Sequence, residues 1–157
     1  MKEIPLTQGL VTQVDDEDYN WLNQWKWCAL KSKNTYYAVR NSETINGKRY
    51  NIYMHRVIMK TPKHLQCDHQ DQNGLNNQKF NLRHASNTQN QINVTHFNTS
   101  GYRGVTYNKQ HEKWRVQITI NHKRKHLGYF DNAIKAAERY DRAALKYHGE
   151  FAIINFK

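Results

Sequence analysis

Residues 113–120 read KWRVQITI, and the alternation in this octet decides how the last third of the chain folds. Trp114, Val116, Ile118 and Ile120 fall on one side of an extended backbone, with Arg115, Gln117 and Thr119 on the other. A period of two marks a strand with one buried and one wet face. Working outward, YRGVTY (102–107) and KRKHLGYF (123–130) flank it at short spacing and are expected to complete a three-stranded antiparallel sheet. Asn132 or Asp131 then caps a helix to Tyr147, with Gly149 as its stop. Ala133, Ala136, Ala137, Tyr140, Ala144 and Tyr147 form its apolar stripe, small enough for the helix to lie close to the sheet. One sheet face then becomes core, and the other is left polar and free to bind.

Charge says what such a face meets. The 157 residues carry 24 Lys+Arg against 13 Asp+Glu, net +11, a balance suited to a polyanion. Residues 101–157 hold twelve Lys/Arg and five Asp/Glu (net +7), whereas residues 1–100 hold twelve and eight (net +4). No apolar run approaches the ~20 residues a bilayer span needs, and Met1-Lys2-Glu3 opens no secretory signal. Cys28 and Cys67 belong to no C-x-x-C pair, so neither a disulfide framework nor a zinc ribbon is expected, and a reducing interior fits best.

Before the basic third, residues 1–60 read as a small mixed module. Acids at 15–18 precede Tyr19, Trp21, Leu22 and Trp25, predicting a short helix opened by its acidic turn. Asn46-Gly47 between YYAV (36–39) and YNIYM (50–54) predicts a hairpin, with Tyr50, Ile52 and Met54 on one face of the returning strand. HRVIM (55–59) reads as one or two helical turns ended by Thr61-Pro62. Trp21, Trp25 and Trp27 are expected in the core. Ser86 is expected to cap a helix carrying Gln89, Asn90 and Asn93, and residues 94–100 (VTHFNTS) read as a linker.

Within this part, CDHQDQNGLNNQKFNLR (67–83) sets Asp68 beside His69, ahead of a loop crowded with amides. Asp68 is a hard anionic ligand and His69 can take a proton near neutral pH, while Asn81 and Asn90 add neutral oxygens. Such a set favours Mg²⁺ or Mn²⁺ and suits phosphodiester hydrolysis; equally, Asn-rich loops more often simply make turns.

The order Asp68-His69, Gly74-Leu75-Asn76-Asn77, Asn81-Leu82-Arg83, Gln89-Asn90 resembles the HNH endonuclease family, in the phage homing variant whose last His is Asn. The resemblance implies a ββα-metal module over 67–93 holding one divalent ion. In it His69 is the general base, Asp68 and Asn90 are metal ligands, and Asn81 orients the imidazole; His55 serves packing. Residues 101–157, from YRGV through KWRVQI and HLGYF to AAERYDRAA, resemble the plant ethylene-response-factor (APETALA-two) DNA-binding domain. That resemblance implies a polar sheet face in the major groove, with Arg103, Gln117, Thr119, Arg124 and His126 as the matching positions; Lys113, Arg115, Lys123 and Lys125 are expected, by their charge, to meet phosphates. Thr106, Asn108 and Thr119 stand where the plant family carries Arg, and His126 where it carries a reading Trp, so the plant target sequence does not transfer.

The expected protein is therefore α+β: a leader with an HNH nuclease module over 1–97, followed by a three-stranded antiparallel sheet on one helix over 98–157. The expected function is a metal-dependent, homing-type DNA endonuclease, probing double-stranded DNA as a monomer in the cytoplasm of a bacterial or phage-infected cell and nicking one strand. The alternative is a non-catalytic DNA-binding transcriptional regulator.

Overall fold

Two separate apolar clusters organise the chain. One gathers Ile4, Val14, Leu22, Trp27, Ala38, Met54, Ile58 and Leu82; the other gathers Val105, Val116, Ile118, Ala136, Ala137, Tyr140, Ala143 and Ala144. The chain accordingly divides into two compact units, Met1–Asn87 and Thr88–Lys157. The computed structural model describes residues 1–44, 46–92 and 99–156. The expected linker falls mostly outside the described residues, as does Asn93.

In the first unit, β1 (Lys2–Pro5) and β2 (Val11–Val14) pair antiparallel and bury Ile4 and Val14. Helix α1 (Asp16–Leu22) follows with Asp16, Glu17 and Asp18 in its first turn, where the helix dipole favours negative charge. Trp27 is buried and donates its indole N–H to the Leu22 carbonyl at 2.8 Å. Trp25, in contrast, stays 39% exposed with the Arg40 guanidinium 4.7 Å from its ring, so only part of the expected tryptophan core forms.

Strands β3 (Cys28–Lys31), β4 (Tyr36–Asn41) and β5 (Asn51–Tyr53) make an antiparallel sheet in that order. The turn between β4 and β5 contains Asn46 and Gly47, both at positive φ (51° and 75°), as a tight hairpin turn requires. The expected common face of Tyr50, Ile52 and Met54 does not form: Tyr50 is 56% exposed, and Met54 opens helix α2 (Met54–Ile58) and is fully buried. Strands β6 (Gln66–His69) and β7 (Leu82–Ala85) then form a two-stranded ladder that flanks the amide-rich loop, and α3 (Asn87–Ile92) follows.

The second unit is the expected sheet on a helix. Strands β8 (Val105–Asn108), β9 (Lys113–Ile120) and β10 (Lys123–Phe130) lie in the order β10-β9-β8, all antiparallel. Helix α4 (Ala133–His148) starts at Asn132, whose side chain accepts from the Ile134 and Lys135 amides at 2.7 and 3.3 Å, and ends at Gly149 with φ of 54°. Ala136, Ala137, Tyr140, Ala143 and Ala144 are buried against the sheet, whereas Tyr147 is 36% exposed. The closing segment is tied down by Asp141, whose carboxylate accepts from the backbone amides of Asn155 and Phe156 and from Asn155 Nδ2. Among the described residues no helix is long and apolar enough to cross a membrane.

Candidate nucleic-acid interface

Strand register fixes which side chains share the sheet face turned away from α4, because directly opposed residues point the same way. Val116 and Ile118 are buried toward the helix, so Arg115, Gln117 and Thr119 face outward. Their partners extend this face in rows: Thr106, Arg115 and Tyr129; then Gln117 and His126; then Thr119 and Arg124. Asn108 and Lys113 form the end row, with Lys113 ion-paired to Asp131 at 3.2 Å.

A bulge in β10 shapes the face. Gln117 pairs with His126 but Val116 pairs with Gly128, leaving Leu127 as an extra residue. Strict alternation would place His126 and Tyr129 on opposite faces; the bulge brings both outward and sends Leu127 into the core cluster. Gly128 has φ of 121°, open to glycine and rarely to other residues. The rings of His126 and Tyr129 lie 4.8 Å apart, and His111, from the turn between β8 and β9, approaches Tyr129 at 4.7 Å. Sequence reasoning missed Tyr129 and His111; the Gly128 step in β10 was the signal available for the first.

Arg115, Gln117, Thr119, Arg124 and His126 therefore share one accessible face. Arg115 is partly exposed at the centre of the face, and its Nε is buried without a hydrogen-bond partner among the described residues. Lys123 pairs with Ile120 and so lies on the α4 side, at an exposed strand end. Lys125 is also on that side and donates to Tyr147 Oη at 2.8 Å, a bond that lowers the Tyr147 pKa. Arg103 is half-buried and occupied elsewhere: Nε donates to Tyr140 Oη at 2.9 Å, Nη2 to the Ile92 carbonyl at 2.7 Å, and its backbone N–H to Asn155 Oδ1 at 2.6 Å. These bonds brace the helix and the closing segment.

The Asp68-His69 pair sits on β6, buried to 5% exposure each. Asp68 Oδ2 accepts from Arg83 on the opposed strand, from Nε at 2.9 Å and Nη2 at 2.8 Å. His69 Nε2 lies 3.1 Å from Asn77 Oδ1. Proton direction along this chain is fixed from its far end: Thr12 Oγ1 donates to the Leu75 carbonyl at 2.8 Å and accepts from Asn77 Nδ2 at 2.7 Å. Asn77 thus turns its oxygen to His69, and Nε2 carries the hydrogen. Asn81, expected to orient the imidazole, instead secures the loop: Nδ2 donates to Asp71 Oδ1 and the Asn76 carbonyl, both at 2.9 Å, and Oδ1 accepts from the Asp71 amide at 3.0 Å. Asn90 lies on α3, in the second unit.

Around His69 stand His55, Tyr37 and Tyr53, with His55 and His69 centroids 4.9 Å apart and Tyr37 5.4 and 5.9 Å from the two. Burial, then the neighbouring His69 and Arg56, pushes the His55 pKa down to about 3. Burial also lowers His69, opposed by its bond to Asn77 and by Asp71 and Asp68. Both are neutral packed rings near pH 7. The Asp68 carboxylate is already held by the Arg83 guanidinium, and no group of three His, Cys, Asp or Glu among the described residues could hold a metal ion.

Residues 100–150 match the AP2 domain family. The chain is 47% identical over 58 residues to APETALA2-like protein 2 of Oryza sativa subsp. indica, covering 37% of this chain and 13% of that protein. It is 47% identical over 58 residues to AP2-like ethylene-responsive transcription factor TOE2 of Arabidopsis thaliana (37% and 12%), and 44% identical over 57 residues to ANT of the same plant (35% and 10%). The chain thus spans about an eighth of the length of the curated relatives it matches. These findings correct the expectation of a phage-type HNH endonuclease and hydrolase: TOE2 and ANT are named as transcription factors, which favours the non-catalytic DNA-binding alternative. What the sheet, its helix and the family match together establish is that an AP2 DNA-binding domain is present in this chain, over residues 100–150.

Proposed function

We propose that this protein is a non-enzymatic regulator that binds double-stranded DNA through the outer face of its AP2 sheet and acts on transcription. The observation that supports this reading is the outer face itself, where Arg115, Gln117, Thr119, Arg124 and His126 stand in cross-strand rows clear of the helix. A β-ribbon fits the major groove, where Arg pairs with guanine O6 and N7 and Gln with adenine. The net +7 of residues 101–157 supplies the sequence-independent attraction.

The test is binding of the full chain to labelled random duplex, single-stranded DNA and RNA across a salt series, followed by selection from a randomised duplex library. The reading expects duplex to compete best, affinity to fall steeply with salt, and selection to converge on a motif. Equal competition by RNA, or no convergence, overturns it. Arg115→Ala with Arg124→Ala is expected to abolish convergence while the far-UV spectrum stays unchanged.

A further inference from the structure

The aromatic step on the outer face does something that arginines and amides do not. Tyr129 is 39% exposed beside Arg115, and His126 and His111 are exposed around it with ring separations of 4.8 and 4.7 Å. None of these rings belongs to the core cluster of this unit. Aromatic surface left in water on a binding face gains by covering an apolar group. In the major groove one apolar group projects from a base edge: the 5-methyl of thymine, which 5-methylcytosine shares.

We propose that Tyr129, flanked by His111 and His126, is a specificity-determining contact for a 5-methylpyrimidine lying next to a guanine read by Arg115. The inference rests on the DNA-binding role proposed above. Two features fix the pairing of ring and guanidinium. Tyr129 and Arg115 are directly opposed across β10 and β9, which makes their side chains immediate neighbours on the outer face. Arg115 is itself partly exposed in the same cross-strand row, so its guanidinium shares the face with the ring. A guanine met by the guanidinium then places the adjoining base edge under the tyrosine ring, and the bulge at Leu127 holds that ring outward.

The size of the effect follows from burying one methyl group, about fourfold in affinity. The experiment uses the full chain and the motif selected from the randomised library. Each thymine beside a guanine is replaced singly by uracil, which deletes only the methyl, and each cytosine beside a guanine is replaced by 5-methylcytosine, which adds it. One thymine is expected to lose about fourfold on conversion to uracil if thymine is the source. If 5-methylcytosine is the source, one methylated cytosine gains by the same factor. Tyr129→Phe keeps the discrimination, and Tyr129→Ser erases it while uracil-containing duplex still binds.

Equal binding of methyl-bearing and methyl-free duplexes at every such step overturns the inference and leaves duplex recognition standing. A Tyr129→Ser loss that is the same on both kinds of duplex also overturns it, since it marks a structural role. Failure to bind any duplex overturns the function itself, a result separable from the others.

Discussion

Arg103 Nε donates to the hydroxyl of Tyr140 at 2.9 Å, joining the loop before β8 to the middle of α4. That bond makes Arg103 a brace between loop and helix. Arg103→Ala is expected to lower the stability of the second unit by roughly 1–3 kcal/mol, because the hydroxyl of the buried Tyr140 and the Ile92 carbonyl lose a charged donor. The slope of log affinity against log salt is expected to stay unchanged. Arg124→Ala is expected to do the reverse, weakening DNA binding and reducing that slope by about one if its partner is a phosphate, with no change in unfolding midpoint. Denaturant unfolding and anisotropy titrations on both variants check the pair.

Asp141 is buried and accepts from the amides of Asn155 and Phe156, at 2.9 and 3.0 Å. Removing it strands two backbone donors and the Asn155 amide group. Asp141→Ala is expected to cost about 2–4 kcal/mol of this unit's stability and to expose residues 152–156 to fast hydrogen exchange. Protection of those amides equal to the parent's would refute the clamp.

What the sequence made legible follows from periodicity. The alternation at 113–120 and the alanine stripe of α4 specify one packed face each, and the structure buries Val116, Ile118, Ala136, Ala137 and Ala144 together. Two kinds of feature escaped. A bulge inverts the facing of everything beyond it, so strict alternation could not show that His126 and Tyr129 share a face. Side-chain partners set by tertiary contact escaped as well: Asn77 and Asn81 are equivalent as amides in a turn-rich loop, and only the fold gives the first to His69 and the second to Asp71. The partners of Asp68 and His69 escaped for the same reason: each is 5% exposed, with Arg83 ion-paired to the first and Asn77 beside the second.

Gly104 has φ of 73°, and a Cβ there would lie 2.0 Å from Tyr140 Cδ2 and 2.8 Å from the Gln117 carbonyl oxygen. Both the backbone conformation and the close approach require glycine. Gly104→Ala is expected to destabilise the second unit by several kcal/mol, on the order of a severe core lesion, and to lose DNA binding with the fold. Native-like near-UV circular dichroism and affinity in this variant would contradict the packing of Tyr140 against the loop.

The buried histidine pair makes the first unit acid-sensitive, with a sign that follows from proton counting. His55 has a folded pKa of about 3, below its ordinary value of 6.5, so between those limits the unfolded chain binds the extra proton. Stability is therefore full above about pH 6.5 and declines as pH falls toward 3, by up to about 1.4 kcal/mol per pH unit for a fully shifted histidine. His69, lowered in the same direction, adds to the loss. Urea unfolding of the parent followed by tryptophan fluorescence at pH 7, 6, 5 and 4 is expected to show a falling midpoint. A His55→Phe variant, which keeps a ring against Tyr37 and Tyr53 but cannot take a proton, is expected to show a shallower decline. Parallel curves for the two proteins would mean that the acid response arises elsewhere, and that His55 Nδ1, buried without a partner among the described residues, finds one in solution.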